Sequence, residues 1–199
     1  RPLIQSAMGA LTALGMDWLT EPDHPVKLMA MLGHPLVAFD HEVVSILDKF
    51  GLRGPRGWND WAGLRASLDS RITENKRAAP YLDAINATLD TLDHHVLDPE
   101  TPMTGDAVLP HLTALLEDLT QTPGPWAGES GRALSNLLET LSQLTAPLGP
   151  MPLSTLSELL ASEAAMARIS SGESHPRLAI YGPLEARLQA ADHIILGGL

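Results

Sequence analysis

The chain has 199 residues, a formal net charge of −11, and a composition of 44% hydrophobic and 19% charged residues. This composition is typical of a soluble globular protein, and the negative charge argues against broad electrostatic binding to nucleic acid. Cysteine is absent, which excludes disulfides and thiolate metal sites and is compatible with a cytoplasmic protein. No apolar run approaches the roughly 20 residues of a membrane helix, so no membrane contact is expected.

Leucine- and alanine-rich segments with apolar residues three and four positions apart predict a helical bundle over the first 169 residues. Short loops between successive helices predict antiparallel neighbours. Seven or eight helices are expected, with these bounds or markers: Ser6–Thr20, Val26–Leu32, His41–Phe50, Asn59–Ala79, Pro80 to about Val96, Leu109–Leu119, Leu134–Leu144 and Thr155–Ile169.

Several residues predict where these helices begin and end. Asp40 is a good N-cap for the third helix, and Gly51 is expected to stop it. Thr155 and Glu158 have the spacing of a capping box, which would place the start of the last helix there.

The C-terminal stretch is expected to be α/β. Leu178–Tyr181 and Ile194–Leu196 are short apolar runs typical of buried strands, and Leu184–Gln189 lies between them as a short helix. A lone pair of strands does not form a stable sheet, so we expect that the chain was cut from a longer protein. The fold class predicted is therefore mainly α, with a helical domain at 1–170 and a truncated α/β piece at 171–199.

The charge is uneven along the chain. Residues 49–77 contain seven basic residues against three acidic ones, whereas residues 78–163 contain twelve acidic residues against Arg132 alone. Lys49, Arg53 and Arg56 are therefore hypothesised to contact phosphates. The alternative, a solvated loop that aids solubility, stays equally open.

Two tryptophans lie beside this basic loop and could stack on bases. Burial is the favoured interpretation, because large aromatic side chains usually serve the core. The helical spacing predicts that Trp61 is a core residue and that Trp58 covers the loop.

Catalysis is not expected from these residues. There is no Gly-x-x-x-x-Gly-Lys-Ser/Thr phosphate loop, and none of the three lysines lies among clustered carboxylates. The run Asp93-His94-His95 with Asp98 could suggest a metal site, but adjacent histidines on a helix point about 100° apart. A solvated helix face is the favoured interpretation.

The C-terminal stretch also carries a family resemblance. His175-Pro176-Arg177, Gly182–Arg187, Asp192 and Ile195–Leu199 resemble AddB, the second subunit of the bacterial AddAB helicase–nuclease, in its alphaproteobacterial form. Two earlier stretches, Met29–Val37 and Leu52–Arg56, resemble recurrent AddB segments in the same order and at similar spacing. Gly33 departs from the family, which often has lysine or arginine at that position.

This resemblance implies a fold, a function and partners. Residues 1–170 would be the helical 2B-like subdomain, and residues 171–199 would begin a RecA-like helicase domain. The parent would be an ATP-dependent DNA helicase/exonuclease subunit in double-strand break repair that uses ATP, Mg²⁺ and an iron–sulfur cluster. Its partners would be an AddA-type subunit and DNA, and this piece would be inactive by itself, serving as scaffold, partner contact and part of a DNA channel.

The resemblance also implies site residues. It adds Arg177 and Arg187 to the residues expected to contact nucleic acid, beside Lys49, Arg53 and Arg56, which the charge distribution indicated. The residues of the helicase-like motif are Gly182, Pro183, Glu185, Arg187, Gly197 and Gly198. A surface ion pair or helix cap remains the alternative for Glu185 and Arg187. The alternative for the whole chain is a stand-alone acidic helical domain for protein–protein interaction.

Overall fold

The computed structural model describes residues 1–120, 124–169 and His193. Apart from His193, these residues belong to one compact unit, Arg1–Ile169. Within them the secondary structure is helical, and the β-type pairings are three isolated antiparallel bridges. The predicted mainly α fold is thereby confirmed, whereas the predicted strand–helix–strand piece of residues 178–196 lies outside the described residues.

The described part of the chain contains eight α-helices. Their bounds are α1 Ala7–Thr20, α2 Pro25–Leu32, α3 His41–Ile46, α4 Trp61–Glu74, α5 Leu82–Asp93, α6 Gly105–Leu119, α7 Gly128–Thr145 and α8 Leu153–Met166. Short helical turns connect or extend them: the 3₁₀ turns Leu3–Gln5, Ala79–Tyr81 and Ala146–Leu148, and the π-helical turn Leu47–Leu52.

Helix α1 lies at the centre of the core. It packs against α2, α6, α7 and α8, and Leu11, Met16, Trp18 and Leu19 are fully buried. The Ser6 hydroxyl caps its start by accepting a hydrogen bond from the Gly9 N–H at 3.0 Å. Because α1 is apolar on most of its circumference, it is stable only when other helices surround it. We call α1 together with the buried side chains packed on it the α1 hub.

The first and last segments of the helical unit are bonded to each other. The Leu3 N–H donates to the Ala167 carbonyl at 2.8 Å, and the Ile169 N–H donates to the Arg1 carbonyl at 3.0 Å. Pro2 and Arg168 thus form an antiparallel bridge. The first and last residues of the helical unit therefore lie side by side.

The prediction that Gly51 stops the third helix is wrong. Asp40 caps α3 as expected, accepting from the Glu42 N–H at 2.7 Å, but the helix continues as a π-helical turn through Gly51 to Leu52. Gly51 has another role: a Cβ there would lie 2.5 Å from Leu68 Cδ2, so that side chain would have to shift. The glycine permits close contact with α4.

The fourth helix is shorter than predicted at both ends. It begins at Trp61, where the Asp60 side chain accepts from the Gly63 N–H at 2.7 Å, and it ends at Glu74. Past that end, the Asn75 side chain accepts from the Arg77 N–H at 3.0 Å. This local bond competes with helix continuation and explains why residues 75–78 are not helical.

The predicted capping box of the last helix is also wrong. Helix α8 begins at Leu153 with Pro152 as N-cap, so Thr155 lies inside the first turn and caps nothing. Pro152 makes no side-chain hydrogen bond to the first turn, so α8 begins without a side-chain cap. The helix ends at Met166 rather than at Ile169 because residues 167–169 bond to the segment at the other end of the unit.

Candidate nucleic-acid interface

Two of the predicted phosphate-contacting residues, Arg53 and Arg56, lie on a loop that one arginine holds. Arg71 on α4 donates from Nη1 to the carbonyls of Gly51 at 3.0 Å and Arg53 at 3.3 Å, and from Nη2 to that of Pro55 at 2.7 Å. Its guanidinium also lies 5.4 Å from the centre of the Trp58 ring. A planar guanidinium can satisfy several acceptors at once. We call residues 53–57, held in this way, the clamped loop.

Of the two tryptophans, Trp61 packs against the core as predicted, whereas Trp58 is more deeply buried than predicted. Trp58 is a core residue, only 5% exposed, and its indole N–H donates to the Asp23 carbonyl at 3.0 Å. Trp61 is half-buried, packs edge-on against Trp18 at 5.7 Å, and donates to Asp93 Oδ1 at 2.6 Å. The prediction that Trp58 only covers the loop is wrong, because hydrogen bonding and Arg71 draw its ring into the core. Base stacking on Trp58 is therefore blocked.

Arg53 and Arg56 already have acidic neighbours. Arg53 Nε lies 3.1 Å from Asp48 Oδ2, and this hydrogen bond raises the pKa of Arg53 above its ordinary value. Arg56 Nη2 donates to the Asp23 carbonyl at 3.2 Å and lies 3.9 Å from Glu21 Oε1. A phosphate at this loop would therefore compete with protein carboxylates for both arginines.

Of the other basic residues in segment 49–77, one forms ion pairs and three are exposed without one among the described residues. Arg65 forms ion pairs with Asp90 and, at 3.6 Å, with Asp93. Lys49, Lys76 and Arg77 are exposed, and no described carboxylate forms an ion pair with them. Carboxylates therefore pair with three of the seven basic residues of this segment, namely Arg53, Arg56 and Arg65.

A groove lies between two stretches singled out in the sequence, Met29–Val37 and Leu52–Arg56. It has a volume of about 440 Å³ and is lined by Met29 of the first stretch and by Leu52 and Arg53 of the second. Val26, 69% exposed, lies beside Met29 on α2. The sequence did not indicate this contact, because α2 and the π-helical turn meet only through the tertiary fold.

The histidine run does not form the solvated face that the sequence suggested. His95 is buried, its Nε2 lies 2.8 Å from Asp118 Oδ2, and its carbonyl is bonded to His111 Nε2 at 2.9 Å. His94 is exposed. Across residues 1–120 and 124–169, no group of three His, Cys, Asp or Glu side chains is arranged to hold a metal ion. His95 is a packing residue that ties the end of α5 to α6.

The predicted site residues of the C-terminal stretch lie outside the described residues. They are Arg177, Gly182, Pro183, Glu185, Arg187, Gly197 and Gly198. Of the predicted nucleic-acid contacts, the structure therefore places Lys49, Arg53 and Arg56, all near the π-helical turn and the clamped loop.

Comparison with known proteins found no matching family model, no matching curated protein and no matching solved structure. Among the helices that the structure describes, none is both long and apolar enough to span a membrane.

Proposed function

We propose that this chain is an internal segment of an AddB-type subunit of a cytoplasmic helicase–nuclease that processes double-strand DNA ends. Residues 1–170 would form its helical 2B-like subdomain, and residues 171–199 would begin the following RecA-like domain. The segment acts as scaffold, as a contact for the AddA-type subunit and as part of the DNA channel. The observation that carries the proposal is the sequence of the stretch His175–Leu199.

The path of the backbone supports an inserted subdomain. A domain inserted into another is connected to it at two neighbouring points, so its first and last segments lie close together. The hydrogen bonds between Leu3 and Ala167 and between Arg1 and Ile169 place the first and last segments of the helical unit side by side.

The groove between α2 and the clamped loop supports a shared role for the two earlier stretches. Met29 and Leu52 are 23 positions apart, yet both line it. Exposed Lys49 and Arg53 lie in the same segment as the groove. In this proposal, the groove and these cations face the DNA strand, and the phosphate replaces Asp48 as the partner of Arg53.

The cofactors implied for the parent do not fit the described residues. The sequence contains no cysteine to hold an iron–sulfur cluster. The described residues also lack a carboxylate or histidine group suited to a metal ion, and no ATP phosphate loop is present in the sequence. The proposal therefore assigns no catalytic step to these residues.

Sequencing the source gene on both sides of this segment tests the proposed identity. We expect Asn-Glu-Gly followed by a Trp-Pro pair directly after Leu199, and a carboxylate–lysine nuclease signature with cysteines further downstream. A stop codon soon after Leu199 would refute the proposal. The chain would then be a stand-alone acidic helical domain for protein–protein interaction.

Binding of labelled single-stranded DNA tests the DNA role separately. We expect the full chain to bind at low salt, and the double variant Arg53→Glu/Arg56→Glu to bind at least about tenfold more weakly. Two lost phosphate contacts would also reduce the slope of log K against log salt by about 1.4. The measurement is fluorescence anisotropy over a salt series.

The matched control is Lys76→Glu/Arg77→Glu, which makes the same change in net charge at two exposed cations outside the clamped loop. It is expected to retain most of the affinity. If both double variants lose affinity equally, or if neither does, the assignment of Arg53 and Arg56 is refuted.

A further inference from the structure

An apolar cleft lies at the start of α4, where residues 22–23 and the segment after α5 meet it. Its volume is about 620 Å³, and its apolar lining is formed by Pro22, Trp61, Val96, Leu97 and Pro99. Trp61, Val96 and Leu97 are half-buried, so part of each side chain remains in contact with solvent. An apolar cleft of this size can accommodate several side chains of a bound segment.

The charge around this cleft has one sign. Five carboxylates line it, those of Asp23, Asp60, Asp93, Asp98 and Glu100, and none of the lining residues is basic. Such a concentration of negative charge attracts cationic groups and repels phosphates.

Some of these carboxylates are held in position by internal bonds. Asp98 accepts from the Thr101 hydroxyl at 2.6 Å and from the Glu100 N–H at 3.1 Å, and these bonds hold the pKa of Asp98 below its ordinary value. Asp93 accepts from the Trp61 indole at 2.6 Å. These internal bonds therefore fix Asp93 and Asp98 in position before any partner arrives.

Neighbouring arginines balance only part of this charge. Arg56 lies 3.8 Å from Asp23, and Arg65 lies 3.6 Å from Asp93. Among the described residues, no basic group forms an ion pair with Asp60, Asp98 or Glu100. These three carboxylates are therefore available to cationic groups of a bound molecule, and Asp60 also accepts from the Gly63 N–H as the N-cap of α4.

We propose that this cleft is a docking site for a basic, amphipathic segment of a protein partner. Apolar side chains of that segment pack on Trp61, Val96 and Leu97, while its lysines or arginines pair with Asp60, Asp98 and Glu100. The exposed part of the Trp61 ring offers a further contact for a cation. This inference rests on the cleft alone and does not depend on the proposed function.

Peptide binding to the full chain tests the docking site. The probe is a short fluorescent peptide of leucine and lysine, with leucines at helical three- and four-residue spacing. We expect it to bind. Two control peptides, one with glutamate in place of lysine and one with serine in place of leucine, are expected to bind at least about tenfold more weakly.

Two pairs of variants locate the binding. Glu100→Lys reverses a cleft charge and Ala62→Phe fills the cleft from the first turn of α4, and each is expected to weaken peptide binding at least about tenfold. Glu158→Lys and Ala66→Phe make the same substitutions at exposed positions that do not line the cleft, and are expected to have no effect. All four sites are exposed, and an unchanged thermal unfolding curve verifies folding.

Three outcomes would overturn the proposal. In the first, the leucine–lysine peptide does not bind. In the second, Glu100→Lys and Glu158→Lys weaken it equally, which would indicate attraction by net charge alone. In the third, sedimentation shows a dimer of this chain that Ala62→Phe abolishes, which would assign the cleft to a second copy.

Discussion

The α1 hub and the clamped loop are stabilised by different physical interactions. The hub contains fully buried side chains such as Leu11 and Met16, which pack against α2, α6, α7 and α8. The clamped loop has no buried side chain of its own and takes its shape from the three carbonyls that Arg71 binds. Apolar burial therefore provides most of the stability of this protein, whereas polar contacts fix the shape of the surface where binding is proposed.

This difference has a consequence for mutational analysis. Side chains of the hub are expected to change the free energy of unfolding strongly and the shape of the loop little. Substitution of Arg71 is expected to change the shape of the loop strongly and the free energy of unfolding less. In the unfolded chain water replaces the protein partners of its hydrogen bonds, so each bond contributes only a modest net free energy. The following predictions test that contrast, beginning with the largest effect.

Leu112→Ala tests the hub. Leu112 on α6 is fully buried, and a Cβ added at Gly15 of α1 would lie 3.4 Å from its Cδ1, so the two helices are in close contact there. Truncation removes apolar contacts and leaves a cavity, which should lower the free energy of unfolding by about 2–5 kcal/mol. Chemical denaturation measures it.

The matched control for the hub is Leu144→Ala. Leu144 on α7 is 61% exposed, so its truncation should change the free energy of unfolding by less than about 0.5 kcal/mol. Similar losses in the two variants would mean that the hub is not the main source of stability.

Arg71→Ala tests the clamped loop. It removes the donor to Gly51, Arg53 and Pro55 and uncovers the Trp58 ring, which should lower the free energy of unfolding by about 1–3 kcal/mol. Lysine has one compact charge in place of a planar fork, so Arg71→Lys should recover only part of this loss. Protease cleavage within residues 53–57 should increase in Arg71→Ala.

Arg77→Ala is the control for Arg71→Ala, because Arg77 is exposed and its variant has the same change in net charge. It should leave stability and protease cleavage unchanged. Equal cleavage of the loop in the wild type and in Arg71→Ala would show that Arg71 does not hold it.

The smallest effect concerns the Tyr81–Glu42 contact, which joins the turn before α5 to α3. The Tyr81 hydroxyl donates to Glu42 Oε1 at 2.7 Å, and this bond to a carboxylate raises the pKa of Tyr81 above its ordinary value of 10.0. The contribution to stability is complete below the unfolded-state pKa and disappears as pH rises through the higher folded-state pKa. Ultraviolet pH titration should show a raised pKa that Glu42→Gln shifts back towards 10.0.

The chain contains two tyrosines, so Tyr81→Phe identifies the signal that belongs to Tyr81. An unchanged titration in Glu42→Gln would mean that Glu42 does not perturb Tyr81 in solution.

The sequence by itself determined the helical class and most helix positions. Apolar residues at three- and four-residue spacing indicated all eight helices of the described part, and Asp40 acts as the cap that its position predicts. These signals are local, because a helix face and a cap involve residues only a few positions apart. A local signal can also be wrong. Thr155 and Glu158 have the spacing of a capping box, but the helix begins earlier, at Leu153 after Pro152.

Only the tertiary structure decided which residues meet across the chain. The basic run from Lys49 to Arg77 is clustered in sequence, yet the fold places Asp48 beside Arg53, Glu21 beside Arg56, and Asp90 beside Arg65. Glu21 and Asp90 belong to other helices or loops, and no local sequence pattern predicts that they lie beside these arginines. Charge pairing depends on distances of a few ångströms between remote segments, which periodicity does not encode.

The same reason explains the two tryptophans and the two proposed surfaces. Spacing assigned Trp61 to the core and Trp58 to the loop, but a carbonyl of Asp23, 35 positions away, binds the Trp58 indole and draws it inwards. The groove beside Met29 and the acidic cleft beside Trp61 are likewise each assembled from separate stretches of chain. The helices could be predicted because their signals lie between residues close in sequence. The two proposed binding surfaces could not, because their residues meet only in the tertiary structure.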